Sequence, residues 1–356
     1  MGLAPISVST LHKLRSITFA FLWGSSRNNH RYHLASWSDL SWPKKFEGWG
    51  IKNLFWSSIA LRLKILWEVL FSDSIWHCVL SAKYLKQASV VSWLREIFFN
   101  TRGVSTIWRG FIQTIPWMGR YLAWQVGNGN DILVGIGPVI GSSNSFLFPD
   151  GLRSYLEDLN IITLAQVHNT LPDACQYWYT ADELLLAGEW KVIWNRFVRN
   201  LVQNGIRLSD DPDSLLWDFN KKDGKLTAAK AYECIVKSHN PAPGNRLYTS
   251  LWSRSLPRKI GCFSWLVLRN KVLTWDNLQK RDKIGPGICS LCLAGEETVL
   301  HLFSRCMFWK NLQVLLCEQF QFYIPPEYDS IEKFMDYWVN SFPGSSPHFY
   351  LPHHTI

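Results

Sequence analysis

Apolar side chains recur at helical spacing in two early stretches, Leu11, Leu14, Ile17 and Phe21 within residues 8–23 and Leu61, Ile65 and Val69 within 53–70. Positions three or four apart share one helix face, so both stretches predict helices. Between them Trp42-Pro43-Lys44-Lys45 and Gly48-Trp49-Gly50 break the pattern, as proline and paired glycines do. Helical spacing returns at 74–86 and 102–114. At Tyr121–Val126 and Asp131–Val134 two short β-prone runs flank Gly127-Asn-Gly-Asn130 and predict a hairpin. Residues 135–149, rich in Gly, Ser, Asn and Pro, read as a loop and a candidate boundary.

Residues 151–205 read as amphipathic helix, with Trp178, Trp190 and Trp194 available for a core. A second hairpin is expected where Ser214–Phe219 and Lys225–Thr227 flank Lys221-Lys-Asp-Gly224, followed by helices near 228–238, 248–254, 257–270 and 274–281. The expected class is therefore mainly α: a helical connector with short β-hairpins, then a helical module. The expected divisions are 1–120, 121–212, 213–325, and a partly disordered tail at 326–356 that is frayed from Pro343 onward. No repeat of solenoid period is present.

Composition narrows the class. The chain has 356 residues, 47% hydrophobic and 18% charged, enough apolar surface for substantial cores and too little polarity for wholesale disorder. The richest apolar stretch, Ile59–Phe71, is interrupted by Arg62, Lys64 and Glu68, so no membrane span is expected. Met1–Thr10 lacks the pattern of a secretory signal, which implies an intracellular protein, cytoplasmic or nuclear. The net charge of +9 is concentrated: from Lys221 to Lys283 fourteen basic residues face four acidic ones. Such a field attracts polyanions, nucleic acid above all, although a solvated basic face without a partner has the same composition.

The strongest chemical signal is Cys289-Ser-Leu-Cys292 followed by His301 and Cys306, a C-x2-C-x8-H-x4-C pattern. Two thiolates two residues apart can face one metal across a tight turn, and the later His and Cys complete a tetrahedron. The soft ligands favour one Zn2+. With all four positions filled by protein, the ion is expected to be structural. Cys78, Cys175, Cys234, Cys262 and Cys317 are isolated and read mostly as buried thiols, and His353 and His354 fall in the tail.

These ligands sit within a longer run of matching features: Leu216-Trp217, Asp223-Gly-Lys-Leu-Thr227, Ala231-Tyr232, Leu251-Trp252, Leu256-Pro-Arg-Lys259, Phe263-Ser-Trp265, Leu273-Thr274, Leu278, Arg281, Glu297-Thr298 and His301-Leu-Phe303. Together they resemble the zinc-binding region near the C-terminal end of plant non-LTR (LINE-type) reverse transcriptases. Upstream, Phe21-Leu-Trp-Gly24, Trp37, Pro43-Lys44, Gly48-Trp-Gly-Ile-Lys-Asn-Leu54, Ala60-Leu61, Trp76, Lys83-Tyr84 and Trp124-x-Val-Gly-Asn-Gly129 resemble the connector that follows the polymerase thumb in that family. Trp49 stands where the family usually has glycine, and Val134-Gly-Ile-Gly137 replaces an expected Trp-x-Asp-x-Trp, departures that suggest a decayed copy.

A reverse transcriptase of that family needs a polymerase palm with a Tyr-x-Asp-Asp turn whose carboxylates hold two Mg²⁺ ions, and no such motif is present in this sequence. Tyr179-Thr-Ala-Asp182-Glu183 lies in a helical pattern, and Asp210-Asp211 before Pro212 reads as a turn. The residues after Cys306 are too few for a ribonuclease H domain, so the expectation is a truncated, non-catalytic, retrotransposon-derived chain. Gly127-x-Gly129 and Gly135-x-Gly137 have flanks unlike a dinucleotide loop, and no nucleophile elbow or Walker motif occurs. No small-molecule substrate is expected.

At about 100° per residue, Arg258, Trp265 and Arg269 project within about 40° of one direction on the helix expected at 257–270, opposite Ile260, Phe263, Leu266 and Val267. Arginines contact phosphates and tryptophan stacks bases, the combination used on single strands. Lys259, Lys271, Lys280 and Arg281 extend the charge toward the zinc loop. The competing account packs Trp265 against a neighbouring helix under its arginines. Two function classes therefore remain: non-specific binding of RNA or single-stranded DNA, or an inert structural remnant.

Overall fold

The computed structural model describes residues 6–24, 32–72, 74–85, 90–91, 103–139, 147–170, 176–239, 244–253, 257–320, 323 and 326–341. The chain begins with α1 (Val8–Trp23) and α2 (Trp37–Ser41). Next come α3 (Leu54–Phe71), α4 (Ile75–Leu80), α5 (Thr106–Ile112), α6 (Ile115–Gly119), β1 (Leu122–Gln125) and α7 (Asp150–Asp158). Strands β2 (His168–Thr170) and β3 (Gln176–Trp178) precede α8 (Gly188–Gln203), β4 (Ser214–Trp217) and α9 (Ala228–His239). The last helices are α10 (Arg246–Ser253), α11 (Arg258–Leu268), α12 (Trp275–Gln279), α13 (Met307–Phe320) and α14 (Ile331–Ser341). The mainly α class is as expected.

Two compact units result, one from Leu54–His239 and one joining Ser9–Asn53 to the chain from Asn240 onward. The divisions expected at 120/121 and 212/213 thus fall inside the first unit. The cause is pairing at long range: β1 runs antiparallel to β4, with Leu122 opposite Trp217 and Gln125 opposite Ser214. Neither expected hairpin forms. The Gly127–Asp131 turn is instead held by Asp213, whose carboxylate accepts the N–H groups of Gly127 (2.7 Å), Gly129 (3.0 Å) and Asp131 (3.0 Å). That clamp delivers 214–217 to β1, and Leu133 bridges Thr163 rather than folding back locally. Gly127 fits because a Cβ there would stand 2.2 Å from the Asp211 carbonyl oxygen. The local antiparallel pair is β2 with β3, inside the stretch expected to be helical.

In the first unit, Ala60, Leu63, Leu66 and Leu70 of α3 pack with Ala231, Cys234 and Ile235 of α9, and with Trp108, Phe111 and Met118. Each fully buried leucine contributes about 1.5–3 kcal/mol. Arg62 is buried on the same helix; its guanidinium donates to the carbonyls of Ser58 and Gly110, and burial lowers its pKa. A second core joins Leu152 and Leu156 of α7 to Trp194, Phe197 and Leu201 of α8, and Trp194 Nε1 donates to the Tyr179 carbonyl at 2.9 Å.

The second unit is built around Glu47, left-handed at φ 67°. Its carboxylate accepts the Asn245 N–H at 2.9 Å and pairs with Arg269 at 2.7 Å, while its carbonyl accepts Trp265 Nε1 at 2.6 Å. Leu40, Trp49 and Ile51 pack here with Leu247, Leu251, Trp265 and Leu266. Met335 and Val339 of α14 join the same core, so the expected tail is structured through Ser341; residues 343–356 lie outside the described residues. Trp49 meets Trp265 edge-on at 5.5 Å, which gives this residue a packing role in the core.

Candidate metal centre and basic surface

The loop before α13 is shaped to gather four side chains. Ile288 bridges Glu296, the Cys289 N–H donates to the Gly295 carbonyl at 2.8 Å, and the Leu293 N–H donates back to the Cys289 carbonyl at 2.9 Å. Leu293 takes a positive φ of 53° to close this turn. The Thr298 hydroxyl accepts the His301 N–H at 3.1 Å at the start of a wide π-type turn, His301–Arg305. Cys306 ends that turn, donating its N–H to the His301 carbonyl at 2.7 Å, and α13 follows. The positive end of a helix dipole therefore lies beside a thiol that must ionise to bind metal. Gly295 lets the loop approach the imidazole, since a Cβ there would stand 3.1 Å from His301 Cε1.

Cys289 Sγ lies 3.9 Å from Cys306 Sγ, Cys292 Sγ lies 3.2 Å from His301 Nε2, and all four ligand atoms fall within 4.8 Å of one another. A tetrahedral zinc with Zn–S near 2.3 Å and Zn–N near 2.0–2.1 Å requires S–S edges of about 3.8 Å and S–N edges of about 3.5 Å. The four residues fit one structural Zn2+. Cys289 and Cys306 are fully buried, whereas Cys292 and His301 are half-buried. The Ala294 N–H, aided by His301, holds the Cys292 thiol down to about 7, whereas burial pushes the Cys289 thiol up. Four protein ligands leave no coordination position for a reacting water.

The expected basic face on α11 is partly overturned. Arg258 and Lys259 are exposed on its first turn, but Trp265 is completely buried and unavailable for stacking. Ile260 and Phe263, expected in the core, are about half exposed. Both stripes of this helix can bury apolar surface; the larger indole takes the core, and its N–H finds the Glu47 carbonyl 218 positions away. Arg269 is neutralised by Glu47 and lies over Tyr248 at 5.1 Å. Lys271 is exposed, Lys280 pairs with Asp276 at 3.1 Å, and Arg281 donates to the His33 carbonyl.

Sequence reasoning missed Glu47 and Asp213, whose partners lie too far along the chain to leave a local pattern. Tyr179–Glu183 forms a turn ahead of α8, not helix, with the Glu183 carboxylate accepting the Thr180 N–H at 2.7 Å. Asp211 lies in a turn, as expected. Cys234 and Cys317 are buried, Cys262 is half-buried, Cys78 is exposed, and Cys175, His353 and His354 lie outside the described residues.

Fold and site together define a helical unit organised by a closed Cys3His zinc centre. Residues 227–312 match the family described as zinc-binding in reverse transcriptase. The chain is also 24% identical over 307 residues to an Arabidopsis thaliana protein named as a ribonuclease H protein, a match covering 84% of this chain and 46% of the relative. The chain thus spans about half the length of that curated relative. Residues 227–312 are therefore similar to the zinc-binding region of reverse transcriptases, and the four zinc ligands fall within that match.

Proposed function

We propose that the zinc-organised unit binds single-stranded nucleic acid, RNA or DNA, without sequence preference. The observation that carries this reading is the charge left after internal pairing. Lys221, Lys230, Lys237, Arg269 and Lys280 are neutralised by Asp218, Glu233, Glu47 and Asp276. Arg246, Arg258, Lys259, Lys271, Arg281 and Lys283 of the second unit have no acidic partner among the described residues. Contacts of this kind go to phosphates and carry no sequence information.

The test is a titration of the zinc-loaded full chain with a labelled oligonucleotide at 50 and 200 mM salt. Four engaged phosphates give about a 50-fold loss across that range. Salt-independent binding, or none, overturns the reading. Burial of Trp265 and pairing of Arg269 favour the alternative, an inert remnant, for which the same titration is blank.

The proposal includes no polymerase or nuclease chemistry by this chain. Among the described residues the one cluster of three or more metal-competent side chains is the closed Cys3His centre. Primer extension and cleavage of an RNA–DNA hybrid with Mg²⁺ or Mn²⁺ are expected to give no product; the second assay addresses the relative's name directly. Three thiolate ligands suit a reducing setting, so the proposed location is intracellular, cytoplasmic or nuclear. No helix among the described residues is long and apolar enough to cross a membrane.

A further inference from the structure

With Trp265 buried, the second unit still presents an exposed aromatic ring faced by two cations that have no acidic partner among the described residues. Tyr32 is 41% exposed. The Arg281 guanidinium carbon lies 5.4 Å from its ring centroid and Lys283 Nζ lies 5.9 Å from it. The local backbone sets up this convergence. The N–H groups of Arg281 and Lys283 both donate to the Leu278 carbonyl, at 2.9 and 3.1 Å, and Asp282 between them takes a positive φ of 59°. That turn brings two side chains, separated by one residue, to the same ring. From the other segment, Arg281 donates to the His33 carbonyl at 3.3 Å, and the His33 ring packs edge-on against Phe19 at 4.5 Å.

The acids nearby do not neutralise the pair. Asp276 is engaged by Lys280, and exposed Asp282 makes no ion pair with either cation. Two like charges gathered at one exposed ring repel each other, and an anion between them offsets that repulsion. A ring face beside them offers a nucleobase a stacking surface.

We propose that Tyr32, Arg281 and Lys283 form a nucleotide-binding step for single-stranded nucleic acid, the base stacking on Tyr32 and an adjoining phosphate held by the two cations. This inference rests on the nucleic-acid reading above and assigns it a place. No covalent step is involved. Tyr32 lies outside the basic segment and was not legible as a partner, because its neighbours in space are about 250 positions away in sequence.

The experiment uses the zinc-loaded full chain with labelled oligothymidylate and oligouridylate. Tyr32→Ala is expected to weaken binding about tenfold and Tyr32→Phe to leave it near wild type, since stacking needs the ring and not the hydroxyl. Arg281→Gln with Lys283→Gln is expected to lower the salt slope by about 0.7, one phosphate's worth on a single strand. Ultraviolet cross-linking of the wild-type complex should map to Tyr32. Equal effects on both oligomers support a site blind to the 2′-hydroxyl, while a preference for oligouridylate assigns it to RNA. If the wild type binds and Tyr32→Ala binds equally well, this inference fails and the broader reading stands. If the wild type binds neither oligomer, the broader reading fails. Should Tyr32→Ala lose zinc or helicity, the wild-type cross-link decides, and its absence from Tyr32 overturns the assignment.

Discussion

Asp213 satisfies three main-chain N–H groups of the Gly127–Asp131 turn, and hydrogen bonds to a carboxylate are among the stronger ones in a protein. Asp213→Ala is expected to lower stability by about 2–4 kcal/mol in urea denaturation, with Asp213→Asn intermediate because one acceptor oxygen survives. Cys234 gives a pH signature. Burial raises its thiol to about 11, above the value near 9 of an unfolded chain. Its contribution is fully present below pH 9 and is lost as pH rises through 11, because the unfolded thiol ionises first. Allowing for screening, wild type should lose about 1–2 kcal/mol more than Cys234→Ala over that interval. Melting temperatures of the two at pH 8, 9, 10 and 11 check this. The burial of Cys234 was legible in its apolar surroundings, though not its partners on α3. Asp213 was not legible, because an aspartate before a strand is ordinary until the turn comes against it.

Among the elements, the metal loop was the most legible and α11 the least. Ligands within eighteen residues of one another are constrained by local geometry, so C-x2-C-x8-H-x4-C announces its own partners. A helix with apolar residues on two stripes does not say which stripe is covered, and here Glu47 decided it for Trp265. Zinc binding in small modules supplies apparent energies of about 10–16 kcal/mol, which are folding energy. Chelation is therefore expected to unfold the loop and reduce far-ultraviolet helicity from α12 and α13. Metal analysis should give one zinc per wild-type chain, one for Cys262→Ser, and well under one for Cys289→Ser or Cys306→Ser.

For the whole molecule, α1, α3 and α9 were read correctly as helices, but the buried stripe was not. Ile17 and Phe21 of α1 and Leu61 of α3 are exposed, and the cores take Phe19, Leu22 and Trp23 and Ala60, Leu63, Leu66 and Leu70 instead. The strand partners and unit boundaries also escaped, because both depend on contacts far apart in sequence. The family match at 227–312 begins on α9, which packs on α3, and ends within α13. A fragment of those residues lacks Leu63 and Leu66 for α9 and Glu47 for Trp265. It is expected to take up zinc yet melt broadly and bind a hydrophobic dye. A chain joining 9–53 to 244–341 through a glycine–serine linker should melt sharply; equal cooperativity in the two would refute the division described. The Glu47–Arg269 pair has one further consequence. Its partners are 222 residues apart, and at about 5–20 residues per second the ribosome adds the second about 10–45 s after the first. Through that interval the nascent segment 9–53 waits with its apolar side chains uncovered while an entire unit is made behind it. Newly made chains should therefore depend on chaperones more than refolded ones do.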